Sequence, residues 1–200
     1  MGKNHPNVDE YVVSRVRALE SLLLEKGVLG PDTVDRVVGR YENDTGPMIG
    51  ARAVARAWVD PEYKQRLLTD TKAALAELGL DYDLLVVVEN KPGVHNVVVC
   101  TLCSCYPWPV MGLPPLWYKS PPYRSRVVME PREVLREFGT ELPQGTEIRV
   151  WDSSSEMRFM VLPERPAGSE GMSEEELLEL VSRDHLIGVE LVPSPAVTVS

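Results

Sequence analysis

The chain has three cysteines, Cys100, Cys103 and Cys105, and all of them fall in the stretch HNVVVCTLCSCYPWPVMGLPP, residues 95–115. Thiolates bind metals, act as nucleophiles and exchange electrons. A structural zinc site closes with four ligands, often two C-x-x-C pairs or one such pair with two histidines. Here the spacing is C-x-x-C-x-C with no fourth thiol, and His5, His95 and His185 lack zinc-knuckle spacing. A tetrahedral zinc would need a ligand from elsewhere.

Covalent geometry permits another chelate. The three sulfurs can cap a metal with the backbone amides of Ser104 and Cys105 turned toward it. If those amides lose their protons, Cys105 closes a five-membered ring through its own N and S. The two amide nitrogens close a second five-membered ring, and Cys103 S with Ser104 N closes a six-membered one. That set leaves one octahedral position open and requires a strongly polarising ion, more in keeping with a trivalent metal than with zinc. Three other readings stand beside it: thiols packed as small hydrophobes, a redox-sensing pair, and a zinc site completed by a partner.

The elements around the cluster must hold it. The first 80 residues read as helical. Val12, Val16, Leu19, Leu22 and Leu23 recur at helical spacing, with Gly27 as a stop. That stripe faces either a core or a partner chain. Pro31 suits a first turn followed by Val34, Val37, Val38 and Tyr41. A third helix is expected from about Met48 to Trp58. Asp60-Pro61 then pairs an N-cap with N1, opening a helix that ends near Gly79. Beyond Gly79 the pattern turns β-rich. LLVVVEN (84–90) and HNVVVCT (95–101) are strands separated by the turn signal KPGV. RSRVVM (124–129) reads as a strand, EPREVLREFG (130–139) as a short helix, and EIRVWDS (147–153) with MRFMVLP (157–163) as another strand pair. SEEELLELVSR (173–183) carries a capping box from Ser173 to Glu176, and IGVEL (187–191) reads as a last strand. Helices first and strands later give an α+β fold: a helical N-terminal region over 1–80, then a mixed, layered domain over 81–200 carrying the metal loop.

Composition sets the outer limits. Hydrophobic residues make up 44% and charged ones 26%, ordinary for a chain with a sizeable core. Thirty acidic against 21 basic residues give a net charge of −9, which argues against nucleic acid as the partner. The N-terminus MGKNHPNVDEYVVSRV has no apolar h-region, no run approaches the roughly 18 apolar residues of a membrane span, and Pro6 breaks a myristoylation motif at Gly2. The chain therefore reads as cytoplasmic. A reducing compartment disfavours structural disulfides and favours a metal or redox role for the thiols.

The segment VCTLCSCYPWPVMGLPPLWYKSPPYRSRVVMEPREVL resembles the metal-binding segment of nitrile hydratase α subunits. VWDSSSEMRF, VLPERPAGSEGMSEEEL, VRALESLLLEKGVL and GARAVARAWVDPEYKQRLL resemble the same subunit, so that the likeness covers nearly the whole chain. Thr101, where iron-type enzymes usually have Ser, resembles the cobalt type. The resemblance implies a low-spin Co(III), with Fe(III) as the lesser possibility. Its ligands would be the sulfurs of Cys100, Cys103 and Cys105 and the backbone nitrogens of Ser104 and Cys105. It also implies oxidation of Cys103 to sulfinic acid and of Cys105 to sulfenic acid. The reaction would be hydration of a nitrile to its amide. Three routes are compatible with it: a polarised nitrile, an activated water, or attack by the Cys105 sulfenate, which makes Cys105 the candidate catalytic residue. A β subunit would complete the site with arginines, a tyrosine and pocket residues, in a heterodimer or a dimer of heterodimers, and an activator protein would load the metal. The metal-bearing subunit of thiocyanate hydrolase shares the cysteine motif and is the near alternative; a non-catalytic zinc or redox module is the distant one.

Trp108, in C-Y-P-W-P, resembles a residue lining the family's substrate pocket, and an apolar wall suits an apolar nitrile; core packing is the other reading. Trp117 and Tyr118 read as pocket or partner surface. Pro107, Pro109, Pro114 and Pro115 stiffen the loop. Arg124 and Arg126 can reach oxidised sulfur through charge-assisted hydrogen bonds, although an ordinary ion pair is the favoured reading. Asp152 and Glu156 read as structural carboxylates.

Overall fold

The computed structural model describes residues 10–39 and 47–195. Tyr41 and His5 lie outside the described residues. Among the described residues, α1 (Glu10–Glu25) and α2 (Thr33–Gly39) come first, followed by α3 (Pro47–Val59), α4 (Pro61–Thr69) and α5 (Thr71–Ala76). Among the described residues four strands, β1 (Leu85–Glu89), β2 (Val94–Val99), β3 (Glu147–Asp152) and β4 (Arg158–Leu162), are interleaved with the helices that follow. Between β2 and β3 come α6 (Trp108–Met111), a 3-10 turn (Leu116–Lys119), α7 (Pro121–Met129) and α8 (Pro131–Glu137); α9 (Glu174–Leu178) and α10 (Arg183–Ile187) follow β4. The class is α+β. No helix among the described residues is long and apolar enough to cross a membrane.

All four strands appear where the β-rich runs predict them, but their partners differ from the expected local pairs. β1 pairs with β4 and β2 with β3, both in parallel. The KPGV turn links neighbours that take partners from the far end of the chain. Parallel pairing needs a long crossover, and the β2-to-β3 crossover carries the cysteine loop. Its register sets Val99 beside Asp152, the last residue of β3. Both strands thus end where the cysteine loop begins, the place where open parallel sheets gather ligands.

Four expected elements are corrected. Residues 124–129 belong to helix α7 rather than a strand, because Ser120 caps the turn with Pro121 at its first position and accepts from the Tyr123 amide. The single helix expected from Asp60 to Gly79 divides at Asp70, whose non-helical backbone and side-chain cap on Ala73 start a new helix. The C-terminal helix likewise divides, with Ser173 and Ser182 each closing a capping box. Left-handed Gly188 then ends α10, so IGVEL forms no strand.

α3 lays an alanine-rich face, Ala51, Ala53, Val54 and Ala57, into the core, where α4, α6, α9 and α10 meet it. β2 is buried along most of its length. α1 and α2 bury nothing in this core: Val12, Val16, Leu19 and Leu22 stay exposed. Leu23 is only half-buried. The apolar stripe on α1 is therefore available to a partner rather than packed internally.

Candidate metal centre

Cys100 is the first residue beyond β2 and is buried; Cys103 is exposed and Cys105 lies between. The three sulfurs lie within 4.8 Å of one another and form the one such group of potential metal-binding side chains among the described residues. Cys103 Sγ sits 3.2 Å from Cys100 Sγ and 3.1 Å from Cys105 Sγ. The Cys103 amide points at Cys100 Sγ, 3.4 Å away. Hydrogen bonding from the Cys105 and Cys100 thiols, helped by the backbone N–H groups of Cys105 and Ser104, draws the Cys103 thiol down to about 7. Burial pushes the Cys105 thiol up to about 12. The cluster thus already stabilises one thiolate, and the amides of Ser104 and Cys105 favour negative charge at Cys103. Soft sulfur donors with converging amide nitrogens fit a thiophilic, polarising ion.

The loop is held through its backbone. The Asp152 carboxylate accepts from the Thr101 amide at 2.9 Å through Oδ1 and from the Thr101 hydroxyl at 2.5 Å through Oδ2. The Tyr118 hydroxyl donates to the Cys105 carbonyl at 3.1 Å. Arg124 Nη1 donates to the Cys103 carbonyl at 2.8 Å. Tyr123 anchors the strand beneath, donating to the Val98 carbonyl at 2.7 Å. Trp117 and Tyr118 are buried with Tyr106, Tyr123 and Phe138, their rings packed mostly edge to face. Tyr118 supports the loop from this aromatic cluster, while Trp117 lines a small cavity with Tyr123 and Phe138.

Further up, a buried polar network braces β2. His95 Nδ1 accepts from the Asn90 amide, and its Nε2–H donates to the Gly188 carbonyl at 2.8 Å. Burial holds this imidazole below the ordinary histidine value. Asn96 donates through its backbone and side-chain N–H groups to Asn90 Oδ1 and accepts from the Trp151 indole.

Of the remaining candidates, Trp108 opens α6 with 39% of its surface exposed and the Lys119 ammonium 5.7 Å from its ring centroid. Arg126 is committed to Glu130 and Glu137, the ordinary ion-pair reading. Glu156 is exposed and its backbone amide bonds to Ser154. Asp152 is a hydrogen-bonded structural carboxylate, as expected, whereas the holding roles of Arg124 and Tyr118 escaped sequence reasoning. The donors on Arg124 and Tyr118 were visible in the sequence, but nothing there placed them on the carbonyls of the cysteine loop.

Comparison with known proteins agrees with this geometry. A family model described as nitrile hydratase, alpha chain, matches residues 10–190. The cobalt-containing nitrile hydratase subunit alpha of Pseudonocardia thermophila is 56% identical over 199 residues, covering 98% of this chain and 97% of that one. The thiocyanate hydrolase subunit gamma of Thiobacillus thioparus is 44% identical over 197 residues, 92% of this chain and 80% of its own. Among solved structures, a double mutant of the Fe-type nitrile hydratase from Comamonas testosteroni Ni1 superposes with a TM-score of 0.78 at 40% identity, over 97% of this chain and all of the other. With its three-sulfur loop and a match along nearly its full length, the chain belongs to the nitrile hydratase alpha chain family.

Proposed function

We propose that this chain is the metal-carrying, catalytic α subunit of a cobalt-type nitrile hydratase, converting a nitrile into its amide. The observation that carries the reading is the three-sulfur cluster at the C-terminal end of β2, within 4.8 Å and free of carboxylate or imidazole. Cys100, Cys103 and Cys105 would hold the ion through sulfur, and Ser104 and Cys105 through their backbone nitrogens. Cobalt is favoured over iron by the 56% identity to a cobalt-containing relative. A trivalent ion held there would supply Lewis acidity toward the nitrile or water.

The chain's own residues do the rest. Cys100, buried, ties the loop to β2, while Cys103 stays exposed to oxidation toward sulfinic acid. Cys105, if oxidised to sulfenic acid by an external two-electron oxidant such as dioxygen, would present an oxygen as the reacting or proton-accepting group. Trp108 gives its exposed face to the apolar part of the substrate.

The region 81–200 carries the metal and 1–80 is the helical part. The bare stripe of α1 and the exposed Leu102, Leu116, Val128 and Met129 support a β-subunit partner that covers them and closes the site. In this reading the chain works in a cytoplasmic heterodimer or dimer of heterodimers, loaded by an activator protein.

The test is co-expression with its β chain in cobalt medium, followed by metal analysis, peptide mass spectrometry and nitrile turnover. About one cobalt per chain, oxygen on Cys103 and Cys105, and amide product support the reading. Zinc without nitrile turnover overturns it. Turnover of thiocyanate in preference to nitriles would move the chain to the thiocyanate hydrolase side.

A further inference from the structure

Arg124 reaches the cysteine loop from α7, yet it meets a carbonyl rather than a sulfur. Its Nη1 donates to the Cys103 oxygen at 2.8 Å, while its Nε is buried with no hydrogen-bond partner. A fixed, half-buried cation is an expensive way to bind one neutral carbonyl, because burying guanidinium donors without partners is unfavourable. The neighbouring carbonyl of Cys105 is served by a neutral phenol instead.

The identity of the peptide accounts for the difference. The Cys103 carbonyl and the Ser104 nitrogen belong to one planar, resonance-coupled unit. When the Ser104 nitrogen ligates a metal, its N–H bond breaks, the proton passes to solvent and the N–metal bond forms. The negative charge left on the unit is shared between nitrogen and oxygen. A guanidinium facing that oxygen gains a charge-assisted hydrogen bond it does not have with the neutral peptide. Tyr118 holds the oxygen of the Cys105–Tyr106 peptide, whose nitrogen ligates nothing.

We infer that Arg124 is a positioning residue that stabilises the Ser104 nitrogen as a metal ligand, through a cationic hydrogen bond to the carbonyl of the same peptide. The inference rests on the ligand set proposed above. It assigns the arginine to the chain's own metal donor rather than to oxidised sulfur or to an ion pair.

The experiment compares wild type with Arg124→Lys, Arg124→Gln and Arg124→Met, as cobalt-loaded complexes with the β chain. Three readouts are taken: the rate of cobalt loss to excess EDTA, the absorption envelope of the metal centre, and the thermal midpoint of the metal-free protein. Outer-shell partners of metal ligands are worth about 10–100-fold in metal affinity. Arg124→Met is expected to lose cobalt faster by about that factor, Arg124→Gln to fall between, and Arg124→Lys to stay near wild type. The absorption envelope moves in the Gln and Met variants and stays fixed in Tyr118→Phe.

Equal retention and an unmoved spectrum in Arg124→Met overturn the inference. Equally fast loss from all three variants, with an unmoved spectrum and a lowered metal-free midpoint, also overturns it, because that is the pattern of a mere loop brace. If Arg124→Met does not fold, the Lys and Gln pair decides on charge alone. A wild-type complex that holds only zinc sinks the parent reading and this one together. A wild-type complex with tight cobalt and nitrile turnover, but indifferent to Arg124, sinks this one alone.

Discussion

Replacing Gly188 by alanine tests whether β2, the strand that leads into the cysteine loop, is braced by α10. Gly188 ends α10 at φ +86°, and a Cβ there would sit 2.1 Å from the Asn96 carbonyl oxygen and 3.0 Å from Val161 Cγ2. Forcing an L-residue into the left-handed region costs about 1–2 kcal/mol. Relieving the contact means separating α10 from β2 by roughly the ångström that an ordinary van der Waals distance demands. The Gly188 carbonyl is the acceptor for buried His95 at 2.8 Å, and leaving that imidazole unpaired costs about a further 1–3 kcal/mol. The sum, about 2–5 kcal/mol, corresponds to a melting point lower by roughly 5–20 °C for a chain of this size. The control is Gly139→Ala, also at positive φ (+83°) but with nothing within 4 Å. Its cost should be the backbone contribution alone, about 1–2 kcal/mol. Urea and thermal unfolding of both variants give the comparison. If the two alanines cost the same within about 0.5 kcal/mol, the close approach of α10 to β2 does not brace the strand.

Cys103→Ala and Cys105→Ala should each abolish stable cobalt and turnover, read by metal analysis and amide formation; full cobalt with normal turnover in either would remove that residue from the ligand set. Tyr118→Phe should cost about 1 kcal/mol and lower cobalt loading without disturbing the aromatic cluster, checked by unfolding and metal content. Trp108→Ala should raise KM for bulky apolar nitriles while leaving cobalt content unchanged; an unaltered KM across substrates would return Trp108 to a packing role. His95 stays neutral because burial holds its folded pKa below the ordinary value. As pH falls below about 6.5 the unfolded chain takes up a proton that the folded chain refuses, so stability falls until the folded imidazole also protonates. His95→Gln should flatten that slope between about pH 7 and 5, measured as melting point against pH.

The chemistry of the site was legible because it is local. Three thiols within six residues, with no fourth and no suitably spaced histidine, bring the sulfurs together whatever the rest of the chain does. The strands were legible because runs of valine suit a pleated, buried surface. Their partners were not, since a strand's own residues do not say which distant strand it will meet; parallel pairing of β2 with β3 crosses the whole catalytic loop. Residues 124–129 misled because Val127 and Val128 carry β propensity, while the stronger signal, Ser120 with two prolines after it, lies just upstream of that window. The supports of the loop come from 13 to 51 residues away, as Tyr118, Arg124 and Asp152 do. No spacing rule reaches that far.

Those supports share one property. Arg124, Tyr118 and Asp152 grip carbonyls, an amide and a hydroxyl, and among the described residues no lysine or arginine hydrogen-bonds a cluster sulfur. The chain spends its cations and hydroxyls on the peptide and leaves the thiols to one another. Oxidised Cys103 and Cys105 would carry new, anionic oxygens on the exposed side of the loop, and these favour charged donors. Arg126, the nearest alternative on α7, is already engaged by Glu130 and Glu137. A partner that covered the exposed Leu102, Leu116, Val128 and Met129 would be in place to supply such donors. A partner surface with arginine above this loop and apolar residues around it would satisfy both requirements at once. Its loss should leave the thiols able to bind metal but the oxidised state less stable, which mass spectrometry of the cysteine peptide from chains expressed with and without the β subunit can read directly.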